Sequence, residues 1–373
     1  MKPILFLIIS IISLSKIHAQ HTYTFFGSFN RDKDTEGLYV YELDTLSGKL
    51  SKVTSFTGML NPSFLTVSPN GKYVFACTES KTKNGGSVSS FAFDPEKKSL
   101  TLISKQKSGG ENPVYLTVHP NGKWLVNGNY TEGSVSVYPV SENGQIQPYV
   151  QNFQFAEGSE DPNRQERAHI HSTVFSPDFN YIFLPDLGAD KIRTYRFETE
   201  KDQPLQPAAI PFTATVPGSG PRHLTFHPNG KFAYCIEEMG GAVSVYSYDN
   251  GKLNSLQRIH THSEKYKENF EGSDVHVSPD GRFLYASNRG NENNIAIFSI
   301  RDDGTLKTVG YRSTKGQHPR VFNLDPDGKF LIATNAGTGT VVVFRRNPET
   351  GLLKKAGRKI KIKSVSCVEI RRY

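Results

Sequence analysis

Residues 220–238 read G-P-R-H-L-T-F-H-P-N-G-K-F-A-Y-C-I-E-E. Leu224 and Phe226 alternate as in a strand, and residues 232–236 form a second strand running back. Asn229-Gly230 between them favours a tight primed turn, because both residues tolerate positive φ. Such a hairpin delivers Arg222 and His223 to the place where Glu237 and Glu238 leave it. Guanidinium, imidazole and carboxylate together can polarise a carbonyl, hold an oxyanion and move a proton. A second stretch with chemical content is D-P-N-R-Q-E-R-A-H-I-H, residues 161–171. His169 and His171 fall on one side of a strand, the spacing of a metal pair. No third ligand follows by spacing, so a general base or polar substrate contacts are expected here, with no metal and no cofactor.

The elements that position these groups come from a repeat. Strand, Ser/His/Asp-Pro, Asn/Asp-Gly-Lys/Arg, strand recurs around Pro69, Pro120, Pro177, Pro228, Pro279 and Pro326, at spacings of 51, 57, 51, 51 and 47 residues. The third copy has Phe179-Asn180 where the others have Gly-Lys/Arg. A third strand of alternating aliphatic and aromatic residues follows each hairpin, then a shorter fourth run such as residues 100–104. No stretch carries a sustained helical period. Four antiparallel strands repeated every 47 to 57 residues are the signature of a β-propeller blade.

Six copies leave two ends over. Residues 22–29 and 37–43 read as the second and third strands of a blade that lacks its first, and residues 364–370 form an orphan strand. Pairing the two termini makes a seventh blade and removes the exposed edge. The expected fold is therefore all-β: a single seven-bladed β-propeller domain over residues 20–373.

Aligning the copies on their prolines locates one rim. The residue opening the first strand and the loop after the second share a face close to the central channel. Six residues before the proline stand Ser63, Val114, His171, Arg222, Ser273 and Arg320. Nine after it come Thr78, Asn129, Asp186, Glu237, Asn288 and Asn335; ten after, Glu79, Tyr130, Leu187, Glu238, Arg289 and Ala336. Charged groups converging on a partly desolvated mouth suit an anionic or carbonyl substrate. Glu238, His171, Arg222 and Arg289 are the expected catalytic groups. His169, Tyr130, Asn129, Asp186, His223, Glu237, His276 and Arg320 are expected to contact substrate. His119 and His227, beside their prolines at the far end of the hairpins, read as structural.

The bulk numbers agree with a turn-rich globular chain: 373 residues, 32 Gly, 21 Pro, 36% hydrophobic and 21% charged. Cys77, Cys235 and Cys367 are too few for a disulfide framework and lack metal spacing, so they are expected as buried small hydrophobes. Residues 1–19 carry a basic start, an apolar run over 4–12 and a small residue, Ala19, and are expected to form a cleavable export signal rather than a membrane span. The expected location is periplasmic or secreted. Losing Lys2 and Lys16 with the signal takes the net charge from +8 to +6. The basic C-terminal cluster from Lys354 to Lys363, with Arg371 and Arg372, lacks the stacking aromatics or recognition helix of a nucleic-acid binder and reads as a solvated edge. Partner proteins are unspecified by the sequence.

R-Q-E-R-A-H-I-H, L-P-D-L-G-A-D-K-I, G-P-R-H-L-T-F-H-P-N-G-K-F-A-Y, V-H-V-S-P-D-G-R-F-L-Y-A-S-N-R-G and H-P-R resemble the lactonase family of seven-bladed propellers. That family includes the propeller-type 6-phosphogluconolactonases and is related to the fungal carboxymuconate lactonising enzyme. The resemblance runs over nearly all of the mature chain. It implies a lactone-handling site in which His171, Arg222, Glu238 and Arg289 match the family's functional positions. The chain departs from the family's usual Asn at Glu237, Glu at Asp274 and His-Asp at Asn291-Glu292, changes that bear on substrate choice. The expected activity is hydrolysis of a sugar-acid lactone, with Arg-stabilised oxyanion and Glu238 or His171 as base. Lactonising or isomerising an acidic substrate, and non-catalytic ligand binding, are the alternatives. Export sits awkwardly with a phosphorylated cytoplasmic substrate, which points to an unphosphorylated lactone or to an activity other than the family's.

Overall fold

A computed structural model describes residues 20–80, 82 and 85–373; the expected export signal lies outside the described residues. Seven four-stranded antiparallel sheets form seven blades around a ring, and no helix occurs among the described residues. Blades two to seven each take four consecutive strands. In blade one the C-terminal strand Val365–Arg372 pairs with Thr22–Ser28, which pairs with Leu38–Leu43, so the termini close the ring as the orphan strand requires. First strands of neighbouring blades pack on one another: that of blade five, Pro221–Phe226, meets that of blade six, Gly272–Val277, which meets that of blade seven, Pro319–Leu324.

The apolar core lies between blades. Tyr234, Ile236, Val243 and Val245 of blade five pack against Val275, Leu284, Ala296 and Phe298 of blade six. Equivalent layers join the other neighbours. Because each blade is apolar on both faces, none can bury its surface alone, and the ring is one cooperative unit. The three cysteines are free and buried in strands, Cys77 and Cys235 in second strands and Cys367 in the closing strand.

The hairpin turn differs from the expected primed type. His227 N donates to Phe232 O, and Gly230 N donates to His227 O at 2.9 Å. Gly230 has φ of 72° while Asn229 does not adopt positive φ. Pro228 is the reason: its ring fixes φ near −65° at the second turn position, which selects a type I turn followed by a left-handed residue. In the third copy Phe179 occupies that left-handed position, with φ of 61°. Blade four's first strand is reduced to Val174–Phe175 plus an isolated bridge between Ile170 and Asp186. The basic segment Leu353–Lys361 is the outer strand of blade seven, its lysines mostly exposed, which guards an open sheet edge against pairing.

Candidate active site

Glu238 is the hub of the rim. Its hairpin ends at Glu237, and the next residue turns the side chain to a site where three guanidiniums converge. Arg222 Nε donates to Glu238 Oε2 at 2.9 Å, and Arg289 Nη2 lies 2.9 Å from the same oxygen. Arg164 Nη2 donates to the other oxygen, Oε1, at 2.5 Å. His171 Nε2 stands 3.9 Å from Oε2. Arg222, Arg289, His171 and Glu238 are all buried. Burial alone would raise the Glu238 pKa, but Arg289, Arg222 and Arg164 outweigh it and hold the carboxyl far below the usual range. Burial, then the charge of Arg222, pushes His171 well down, so its imidazole is neutral at physiological pH. His171 Nδ1 has no hydrogen-bond partner among the described residues.

Arg222 is anchored from below. Its Nη1 donates to Ser273 O at 2.5 Å and faces His223 Nε2 at 3.0 Å. An arginine has only donors, so His223 Nε2 is the accepting nitrogen and Nδ1 carries the proton. That proton points to Asp274 Oδ1 at 2.7 Å. Burial and Arg222 push His223 down to about 4, against the pull of Asp274. Asp274 Oδ2 accepts from His276 Nε2 at 3.0 Å and from Phe322 N at 3.1 Å. Asp274, His223 and Arg222 therefore form a chain that fixes the guanidinium in place. Phe64 and Tyr115 stack at 4.2 Å, and Tyr115 meets His223 edge-on at 5.2 Å, an aromatic wall beneath the cluster. His276 contacts Asp274 rather than the hub, and so is placed as a positioning group.

The expected substrate contacts divide by strand alternation. Asn129, Asp186 and Glu237 are fully buried and committed within their blades, instead of reaching the mouth. Asn129 bonds Ser108 O and Ser134 Oγ. Asp186 accepts from Arg193 Nε and from His169 N, and Glu237 is clasped by Arg258 and Ser244. Successive strand residues face opposite ways, so Tyr130, Glu238 and Arg289, ten after the proline, reach the mouth while Asn129, Asp186 and Glu237, nine after, brace the loops. Tyr130 keeps its expected place: its ring stacks on His169 at 4.4 Å and meets His171 edge-on at 5.3 Å. His169 bonds Tyr130 O through Nδ1. Arg320 lies 3.5 Å from Glu79 across the mouth. No group of three or more His, Cys, Asp or Glu side chains is gathered as a metal site among the described residues.

Two functional candidates escape a reading based on the repeat. Arg164 sits in the insert that lengthens the second spacing to 57 residues, a segment whose histidines draw attention first. Its own signal was a cation seven residues before His171. His318, in the H-P-R motif, has φ of 57° and is pushed down to about 4 by burial and the charges of Arg289, Arg320 and Arg222.

With a closed seven-bladed ring and a cationic cluster at its mouth, the chain belongs to the lactonase family, described as "Lactonase, 7-bladed beta-propeller", whose profile matches residues 23–370. It is 39% identical over 351 residues to the 6-phosphogluconolactonase of Formosa agariphila, covering 94% of this chain and 99% of that one. It is 34% identical to the 6-phosphogluconolactonase of Bacillus subtilis, covering 93% and 96%. The periplasmic gluconolactonase of Pseudomonas aeruginosa superposes with a TM-score of 0.88 at 34% identity, covering 94% of this chain and 99% of that one.

Proposed function

We propose that this chain is an exported lactone hydrolase that opens an unphosphorylated sugar-acid lactone at the Glu238 hub. The observation that carries this reading is the placement of two buried guanidiniums, Arg222 and Arg289, 2.9 Å from one oxygen. Each guanidinium has N–H groups beyond the one on Glu238, and these can hold the carbonyl oxygen of a lactone as it becomes an oxyanion, already oriented and desolvated. Water attacks the carbonyl carbon, the carbon–ring-oxygen bond breaks, and the proton lost by water returns to the departing alkoxide.

For the proton, neutral His171 is the better base. Three guanidiniums make Glu238 a very weak one, whereas His171 has a free nitrogen lone pair. Glu238 then keeps the arginines apart and aimed. Tyr130 and Arg320 border the space and are assigned to substrate contact; His169 and His223 act through Tyr130 and Arg222.

Export is supported by the composition of residues 1–19 and by the periplasmic protein among the structural relatives. N-terminal sequencing of the accumulated protein tests it: a start at residue 20 or 21 is expected, and an intact Met1 contradicts it. The activity is tested by following gluconate formation from δ-gluconolactone and 6-phosphogluconate from 6-phosphogluconolactone, above spontaneous hydrolysis. Faster turnover of the unphosphorylated lactone is expected. Ring closure or isomerisation of an acid, or saturable binding without turnover, identifies the other two chemistries this rim could serve.

A further inference from the structure

A large cavity lies away from the Glu238 hub. It occupies about 710 Å³ on the opposite side of the mouth, between blades seven, one and two, and is lined in part by Phe29, Leu60, Thr78, Glu79, Asn112 and His318. This volume falls within the roughly 300–1,000 Å³ usual for small-molecule pockets. Glu79 and Ala336 on its wall occupy the same register position as Glu238 and Arg289 on theirs, so cavity and hub open on one face. Arg320 connects them: it pairs with Glu79 at the cavity, and its charge reaches His171 at the hub.

Its lining has the character of a neutral, hydroxyl-rich ligand. Half-buried Phe29 and exposed Leu60 offer apolar faces. Thr78 and Asn112 are more than nine-tenths buried, and Thr78 Oγ1 and Asn112 Oδ1 have no hydrogen-bond partner among the described residues. Glu79 supplies a carboxylate acceptor whose charge Arg320 offsets at 3.5 Å, with Arg31 exposed on the lining. Buried polar atoms without partners are costly unless something supplies the missing bond.

We propose that this cavity is a glycosyl subsite, and that the chain acts on aldonolactones carrying a second, neutral sugar ring. The inference rests on the lactone-hydrolase reading of the hub. The lactone carbonyl sits on Arg222 and Arg289 while the second ring lies against Phe29 and Leu60, its hydroxyls reaching Glu79, Thr78 and Asn112. Water adds to the lactone carbonyl and the ring ester opens; the glycosidic bond is untouched.

The test compares kcat/KM on cellobiono-δ-lactone, δ-gluconolactone and 6-phosphogluconolactone for the mature chain and for Phe29→Ala and Leu60→Ala. The disaccharide lactone is expected to be preferred by about tenfold or more, the scale of one well-packed apolar contact. Both variants are expected to lose most of that preference through KM, with δ-gluconolactone turnover unaffected. Leu60 is exposed, so its variant folds even where Phe29→Ala does not. Equal kcat/KM on disaccharide and monosaccharide lactones, equal losses on both in the variants, or preference for the phosphorylated lactone overturns the subsite. If no lactone is hydrolysed, the hub reading fails instead, and calorimetric titration with cellobionate decides the subsite separately: binding weakened by Leu60→Ala upholds it, and no binding overturns it.

Discussion

Arg164 and Glu238 form an ion pair at 2.5 Å, although Arg164 is 44% exposed on a loop of the blade-four insert and Glu238 is buried at the end of blade five's hairpin. Of the three guanidiniums around Glu238, Arg164 alone is largely exposed; Arg222 and Arg289 are buried. It also lies 3.4 Å from Tyr130 Oη, so it spans two rim residues. Arg164 is therefore assigned to substrate contact rather than to the chemical step.

Replacing Arg164 with alanine is therefore expected to raise KM about tenfold and leave kcat within about threefold, the pattern of a contact made equally in ground and transition states. Its exposure makes a folding defect small, and thermal denaturation checks that. A fall in kcat at unchanged KM would place Arg164 in the chemical step.

Glu292 follows the S-N-R-G stretch of residues 287–290. Burial pushes its carboxyl up to about 7, with Asn294 Nδ2 donating to it at 3.2 Å. A carboxyl with a raised pKa binds its proton more tightly folded than unfolded, so stability falls as pH rises from about 4.5 to about 7. Glu292→Gln is expected to raise Tm at pH 8 and leave it unchanged at pH 4. Equal Tm values at both pH values would show that Glu292 ionises freely in the fold.

Phe179 holds a left-handed backbone conformation that glycine fills in the neighbouring repeats. For a residue with a side chain this costs about 1–2 kcal/mol, while glycine adds about 0.5–1 kcal/mol of chain entropy. Phe179→Gly is expected to stabilise by up to about 1 kcal/mol. A lower Tm would mean that packing of Phe179 on His119, centroids 5.9 Å apart, outweighs the strain.

The fold was legible because each blade repeats a proline-marked hairpin, and because strands 22–28 and 365–372 are useless unless paired with one another. Arg222, Glu238, Arg289 and His171 were legible for the same reason: the repeat places them in register on one rim. Asn129, Asp186 and Glu237 were misplaced because register fixes which residues share a rim but not which way each side chain turns. The one-residue step from Glu237 to Glu238 separates a bracing carboxylate from the hub. Arg164 escaped because the insert that carries it has no counterpart in the other copies. His223 was visible as a ring beside Arg222, but its role as a proton-fixed link to Asp274 depends on a neighbouring blade 51 residues away.

The central claim is that the Arg222–Arg289 pair stabilises a developing oxyanion, and Arg289→Gln tests it most directly. The measurement is kcat and KM on δ-gluconolactone above spontaneous hydrolysis, with Tm as the check on folding. Loss of one oriented donor predicts a fall of about 10²–10³-fold in kcat with little change in KM. A folded variant that turns over within about threefold of the wild-type rate would contradict the account, because a positioned oxyanion donor is worth far more than that.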